Sequence, residues 1–262
     1  MKRVSVLLIV VAMTLGLTAC DRGVNPADKT ELIVFAAASM TETLTAIETK
    51  YEAAHEDIDL VFTFDSSGTL KTQIEEGASC DVFISAAPKQ MNQLEELNLV
   101  LLDSRADLLE NKVALCVAEG NPADIHSYDE LAAALQAGTV LLAVGNSDVP
   151  VGQYTQKIFA YYGIDEAAVA DKLTYGSNVK DVTTAVTEAA ADCGIIYATD
   201  AFSAGLTPVD TATAEMCGQV IYPAAVLNTS AHQEEARAFL DYLTREEAAT
   251  IFEAVGFTTL GK

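Results

Sequence analysis

Positive charge is scarce in this chain. Lys and Arg number 15 against 38 Asp and Glu, for a net charge of −23 over 262 residues. Nucleic acid is held by Lys and Arg contacts to phosphate, so this balance excludes it as a partner, and it equally excludes docking on anionic lipid headgroups. Histidine is scarcer still, at three: His55 in AAHED, His126 in a polar loop and His232 ahead of a late helix. None stands where a strand gives way to a helix, and the chain has no GxSxG segment, so a serine activated by a neighbouring base is not expected. There is no CxxC pair and no Cys/His metal spacing. Beyond the N-terminus no apolar run reaches the roughly 20 residues that cross a bilayer. No Pro- or Gly-rich linker divides the remainder, and heptads, low-complexity tracts and long repeats are missing.

The N-terminus is built differently. Lys2 and Arg3 precede an almost wholly apolar stretch, Val4 to Leu17, and LTAC follows, ending at Cys20. This is the layout of an export signal that closes on small residues. It resembles the bacterial lipoprotein signal, which implies a leader at 1–19, cleavage before Cys20, lipidation of Cys20 and anchoring on the outer side of the cell membrane. Residues 20–30 read as a linker. Export permits disulfides, and Cys80, Cys116, Cys193 and Cys217 allow three complete pairings, which the sequence leaves open.

From Glu31 onward, apolar runs alternate with helical ones. Strands are expected at 31–36, 58–64, 81–86, 112–118, 139–145, 193–198 and 218–227. Helices are expected at 40–54, 69–76, 88–97, 127–136, 152–162, 179–191, 231–243 and 245–255. Strands followed by helices of this length predict βαβ units and an α/β fold of parallel sheets, whose ligands bind beyond the carboxyl ends of the strands.

Two junctions share one pattern. LIVFAAASMTETL (32–44) and DLVFTFDSSGTLKTQI (59–74) each run from strand through serine into helix, with Ser39 in the first and Ser66 and Ser67 in the second. A serine at a helix N-terminus places a hydroxyl beside unpaired N–H groups, an anion site without formal charge. Ser39-Met40-Thr41-Glu42 also fits a capping box, with Glu42 reaching back to Ser39. Three more junctions follow. In LLAVGNSDVPVGQYTQKIF (141–159) a helix opens after Pro150, with Val151 and Gly152 in its first turn and Gly152 expected to let backbone approach a ligand. In SNVKDVTTAVTEA (177–189) Asn178 is the expected N-cap, ahead of Val179. In CGIIYATDA (193–201) Tyr197 ends a strand. Each has a plainer reading, as a helix cap, a relaxed turn or a core tyrosine; their shared position along one rim points to a site.

Taken together, AAASMTETL, SSGTL, DVFISA, LAVGNSDVPVGQY, NVKDV, GIIYATDA and DYLTREEAATIFEAVGFTTL resemble the molybdate-binding proteins of ABC importers, in the family's order and from about Leu32 to Phe257. The resemblance implies a two-lobed periplasmic-binding-protein fold (type II), each lobe a mainly parallel sheet flanked by helices. Lobe I is expected at 31–112 plus 223–262 and lobe II at 113–222, the chain crossing near Lys112 and Tyr222. It implies a non-enzymatic binder with no cofactor, whose ligand is molybdate or tungstate, with another oxyanion such as sulfate as the alternative. The implied ligand contacts are the hydroxyls and N–H groups of Ser39 and Ser67, the N–H groups of Val151 and Val179, and the Tyr197 hydroxyl. Molybdenum would enter as the oxyanion, with no direct protein–metal bond. The implied partner is a membrane permease, with the protein itself a monomer. Gly68 departs from the family where some relatives carry another serine.

Overall fold

The computed structural model describes residues 29–260. The expected leader, Cys20 and most of the linker lie outside the described residues. Within them, two sheets are flanked by helices.

The first half of the chain alternates strand and helix: β1 (Thr30–Ala37), α1 (Thr41–Ala54), β2 (Ile58–Asp65), α2 (Ser67–Glu75), β3 (Val82–Ile84) and α3 (Pro88–Glu96). Next come two strands back to back, β4 (Ala106–Asn111) and β5 (Val113–Val117), then α4 (Tyr128–Ala137), β6 (Leu142–Gly145), α5 (Pro150–Tyr162), β7 (Leu173–Gly176), α6 (Val179–Thr187), β8 (Cys193–Tyr197) and α7 (Ala198–Ser203). The chain closes through β9 (Asp210–Thr211), α8 (Ala214–Cys217), β10 (Val220–Val226), α9 (Gln233–Leu243), α10 (Glu246–Ala254) and β11 (Thr258–Thr259).

One sheet runs β11-β4-β10-β3-β1-β2 and the other β7-β6-β8-β5-β9. Both are mixed, which corrects the expectation of mainly parallel sheets. β1 pairs in parallel with β2 and β3, and β6 with β7 and β8, whereas every pairing of β4, β5 and β10 is antiparallel. These last strands adjoin the crossings between sheets, β4 running into β5 with only Lys112 between them and β10 entering the first sheet from the second. The chain passes from the first sheet to the second at Asn111–Lys112 and returns at Gly218–Gln219, since β10 pairs with β4 from its first residue, Val220. Pro223 sits inside this central strand and cannot donate to the ladder. The register accordingly shifts between Tyr222 and Pro223, the bulge that lets a proline be tolerated there.

The cores follow from the pattern of apolar residues. β8 is buried along its whole length, and β1 over its last four residues. Covered on both faces, they read as continuous apolar runs rather than alternating ones. Helix α1 buries Leu44, Ile47 and Tyr51, spaced for one helical face, and the Tyr51 ring meets Phe239 of α9 edge-on at 5.1 Å. Burying each such side chain contributes roughly 1.5–3 kcal/mol. The four cysteines of the described chain are free and buried, so none of the three pairings forms there. Burial pushes the thiols of Cys80, Cys116 and Cys193 up to about 12, leaving them unreactive.

Candidate binding site

The carboxyl ends of β1, β2 and β3 in one sheet face those of β6, β7 and β8 in the other. Ser39 lies in a 3-10 turn, Ala38–Met40, between β1 and α1. Ser67 is the first residue of α2, Val151 the second of α5, Val179 the first of α6, and Tyr197 immediately precedes α7. The N-termini of α2, α5 and α6, the 3-10 turn at Ser39 and the strand end at Tyr197 therefore meet around one space. That cavity is lined by all five predicted residues together with Ala37, Asp65, Ser66, Ala86, Val149 and Pro150 among others. Its lining holds no Lys, Arg or His. The walls are shut from solvent: Ser67 and Val151 are 0% exposed, Tyr197 1%, Val179 4% and Ser39 5%.

First-turn N–H groups have no acceptor within their own helix, so those of Ser67, Val151 and Val179 are offered to the cavity side together with the positive ends of the helix dipoles. The Tyr197 hydroxyl, fully buried, has no aligned hydrogen-bond partner among the described residues. Burial raises its pKa well above the usual phenol value, so it stays a donor. Asp65 is the one carboxylate in the lining, and its Oδ1 is engaged by the Ser66 N–H at 2.6 Å.

The serines are not the caps that a reading of local sequence expects. Ser66, not Ser67, caps α2, accepting from the Thr69 N–H at 3.1 Å. Ser67 Oγ instead accepts from the Ala86 N–H at 2.9 Å, across from the β3–α3 turn of the DVFISA segment. Ser39 makes no capping bond; its Oγ lies 2.9 Å from Tyr222 Oη on β10. Asn178 does cap α6, accepting from the Asp181 N–H at 3.1 Å.

The capping box does not form. Glu42 turns away from Ser39 and binds Lys180 of α6, on the other side of the cleft, at 2.8 and 2.9 Å. The Lys180 ammonium also lies 3.1 Å from Oδ1 of Asp200, whose side chain is 0% exposed. Burial pulls the Lys180 pKa down, but Asp200 and Glu42 more than offset it. Burial pushes Asp200 up to about 6, with Lys180 drawing it back.

Two glycines shape the walls. A Cβ at Gly152 would stand 2.1 Å from the Asn146 carbonyl oxygen, so this glycine lets α5 fold back on the β6 loop. It does not line the cavity, which corrects the expectation that it approaches the ligand. A Cβ at Gly68 would stand 2.2 Å from the Asp148 carbonyl oxygen, a contact between α2 and the opposite wall. A side chain at this position would meet that wall. The histidines lie elsewhere: His55 stacks on Tyr51, His126 pairs with Asp124 on the surface, and His232 precedes α9. Among the described residues no cluster of His, Cys, Asp and Glu could hold a metal ion, and no helix is long and apolar enough to cross a membrane. A larger groove at the mouth mixes Lys71 and Lys89 with Glu76 and Asp148, and it gathers no converging set of buried donors.

Residues 32–258 match the family of bacterial extracellular solute-binding proteins. The chain belongs to that family. Its members are extracytoplasmic binding proteins rather than enzymes. The chain is 32% identical to the molybdate-binding protein ModA of Haemophilus influenzae, over 90% of this chain and 93% of that protein. It is 30% identical to the Bacillus subtilis protein named "Putative ABC transporter substrate-binding lipoprotein YvgL", over 98% of each. The Azotobacter vinelandii periplasmic molybdate-binding protein shares the fold, with a TM-score of 0.77 at 22% identity, covering 88% of this chain and 100% of that one.

Proposed function

We propose that this family member binds molybdate, and tungstate with it, in the cavity between its sheets and delivers the ion to a membrane ABC permease. The observation that carries the reading is the convergence of three helix N-termini, those of α2, α5 and α6, and three hydroxyls, those of Ser39, Ser67 and Tyr197, on one buried space whose lining has no cationic side chain. A fully ionised tetrahedral oxyanion has only acceptors, so its best host offers only donors. Hydrogen bonds to a charged partner contribute roughly 1.5–3 kcal/mol each. Five or more can offset dehydration and leave micromolar affinity or better, about −8 kcal/mol. In this reading Ser39, Ser67, Val151, Val179 and Tyr197 are the ligand contacts, the ion is cargo rather than cofactor, and no protein atom bonds the metal itself.

The same reading fits a chain this acidic, because local dipoles in a dry cleft act where net surface charge is screened. Hydrogen phosphate carries a proton, and the one carboxylate of the lining, Asp65, already accepts from the Ser66 N–H; sulfate is smaller than molybdate and would reach fewer of the donors. The two sheets are the cores of two lobes that close on the ion. Cys20, through its lipid, tethers a monomer at the outer face of the membrane, in line with the lipoprotein name of the Bacillus subtilis relative.

A thermal-shift screen of the purified protein against molybdate, tungstate, sulfate and phosphate tests the function. Stabilisation of about 3 kcal/mol is expected at ligand concentrations a hundredfold above the dissociation constant. A preference for sulfate would replace the assigned ligand, and no shift with any oxyanion would remove the function.

A further inference from the structure

Beyond the five cavity residues lies a buried polar chain that ends on Ser39. Asn111 closes β4 at the first crossing between sheets and is 3% exposed. Its Oδ1 accepts from the Lys112 N–H at 2.8 Å, which fixes which way the amide faces. Its Nδ2 therefore donates to Thr199 Oγ1 of α7 at 2.9 Å and to Tyr222 Oη at 3.1 Å. Tyr222 is 0% exposed, and its ring is held edge-on by Tyr197 at 5.7 Å and Phe257 at 5.3 Å. Its hydroxyl then meets Ser39 Oγ at 2.9 Å.

An amide NH2 group can only donate, so the Tyr222 oxygen is an acceptor toward Asn111 and keeps its single hydrogen for another partner. Ser39 also has one hydrogen. If Ser39 gave it to Tyr222, a serine lone pair would face the cavity and repel an anion there. If Ser39 gives it to the anion, its contact with Tyr222 must be one that Ser39 accepts. Ser67 is arranged to the same end: a backbone N–H, which cannot reverse, donates to its Oγ.

We propose that Tyr222 and Asn111 are positioning residues that orient Ser39 as a donor to the bound oxyanion and so sharpen discrimination against oxyanions that carry a proton. The proposal rests on the oxyanion reading above. Asn111 biases the chain outward, Tyr222 passes the bias on, and the Ser39 hydrogen turns into the cavity. With the relay cut, Ser39 is free to rotate, to accept as well as donate, and to tolerate a protonated ligand.

The test is calorimetric titration of the full chain with molybdate, and competition with hydrogen arsenate at a pH where it is a dianion bearing one proton. Tyr222→Phe keeps the ring and removes the hydroxyl. Molybdate binding is expected to weaken about tenfold, equivalent to about 1.4 kcal/mol. Hydrogen arsenate is expected to weaken less, narrowing the ratio between the two. Asn111→Ala removes the donor to Tyr222 without adding a charge, so Tyr222 can accept from Ser39 and Ser39 can donate away from the cavity. Its loss of molybdate affinity should be at least as large, and it keeps the test decisive if the phenylalanine variant does not fold. Unchanged affinity in the folded variants, or equal losses for both anions, overturns the relay while leaving the binding function intact. Failure of the unaltered protein to bind molybdate overturns the function itself, and the relay with it.

Discussion

The two serine turns look alike in sequence but are held by different means. Ser67 is oriented by the Ala86 N–H, a backbone donor 19 residues along the chain, in the turn between β3 and α3. Ser39 is oriented through Tyr222, which lies 183 residues further along the chain. The first arrangement is fixed by backbone geometry. The second depends on two side chains whose identities can be altered without touching the main chain. Local pattern places a hydroxyl at a strand end; whether that hydroxyl gives or accepts is decided by what stands behind it.

The largest expected effect comes from Ser67→Ala. It removes a ligand donor and strands the buried Ala86 N–H, so molybdate affinity should fall about a hundredfold, from the loss of nearly 3 kcal/mol of charged hydrogen bonding. Chemical denaturation should show a further stability loss of about 1–3 kcal/mol without ligand. Ser39→Ala should cost affinity about tenfold or more, with a smaller loss of ligand-free stability, because Tyr222 keeps its bond from Asn111. Equal stability losses in the two variants would erase the distinction between the turns.

Next comes Gly68→Ser, which puts a Cβ against the Asp148 carbonyl of the opposite wall. Titration should show weakened binding while the melting temperature of the ligand-free protein, free to open its cleft, stays close to that of the parent. Ser66→Ala then separates cap from contact. It should lower stability by about 1 kcal/mol and leave affinity almost unchanged, in contrast to its neighbour at position 67.

The smallest effect concerns the acid behind the Lys180 bridge. Asp200 is pushed up to about 6 by burial, with Lys180 and Glu42 its charged neighbours. A carboxyl raised in the folded state binds its proton more tightly there than in the unfolded chain. Its contribution to stability is therefore full below the ordinary carboxylate range, near 4, and is lost as pH rises through about 6. Denaturation of the protein and of Asp200→Asn across that window should show the protein losing stability relative to the variant as pH rises. A flat difference would place the carboxyl outside this account.

Much of this was legible in the sequence. Helices α1, α3, α5 and α9 and the strands that carry the rim follow from apolar period and Gly and Pro punctuation; the junctions mark Ser39, Ser67 and Tyr197, and the full set of five comes with the family resemblance. β4, β7, β9 and β11 were not legible: the last three have only two to four residues, and ADLLEN of β4 shows no alternation of apolar and polar residues. The mixed sheets depend on which strand neighbours which, and spacing does not encode that. The capping box at Ser39 was a correct local pattern overruled by tertiary structure, because Lys180, 138 residues away, claims Glu42. In the sequence Tyr222 marks only an expected crossing, and Asn111 carries no signal of its own. Only the folded chain brings them behind Ser39.

The account is tested most directly by calorimetric titration of the purified protein with molybdate, repeated in the presence of excess sulfate and hydrogen phosphate. It predicts one ion per chain, bound at micromolar concentration or tighter and displaced weakly if at all by either competitor. Absence of binding at millimolar molybdate, or full displacement by sulfate or hydrogen phosphate, would contradict a site built from neutral donors for an unprotonated tetrahedral dianion.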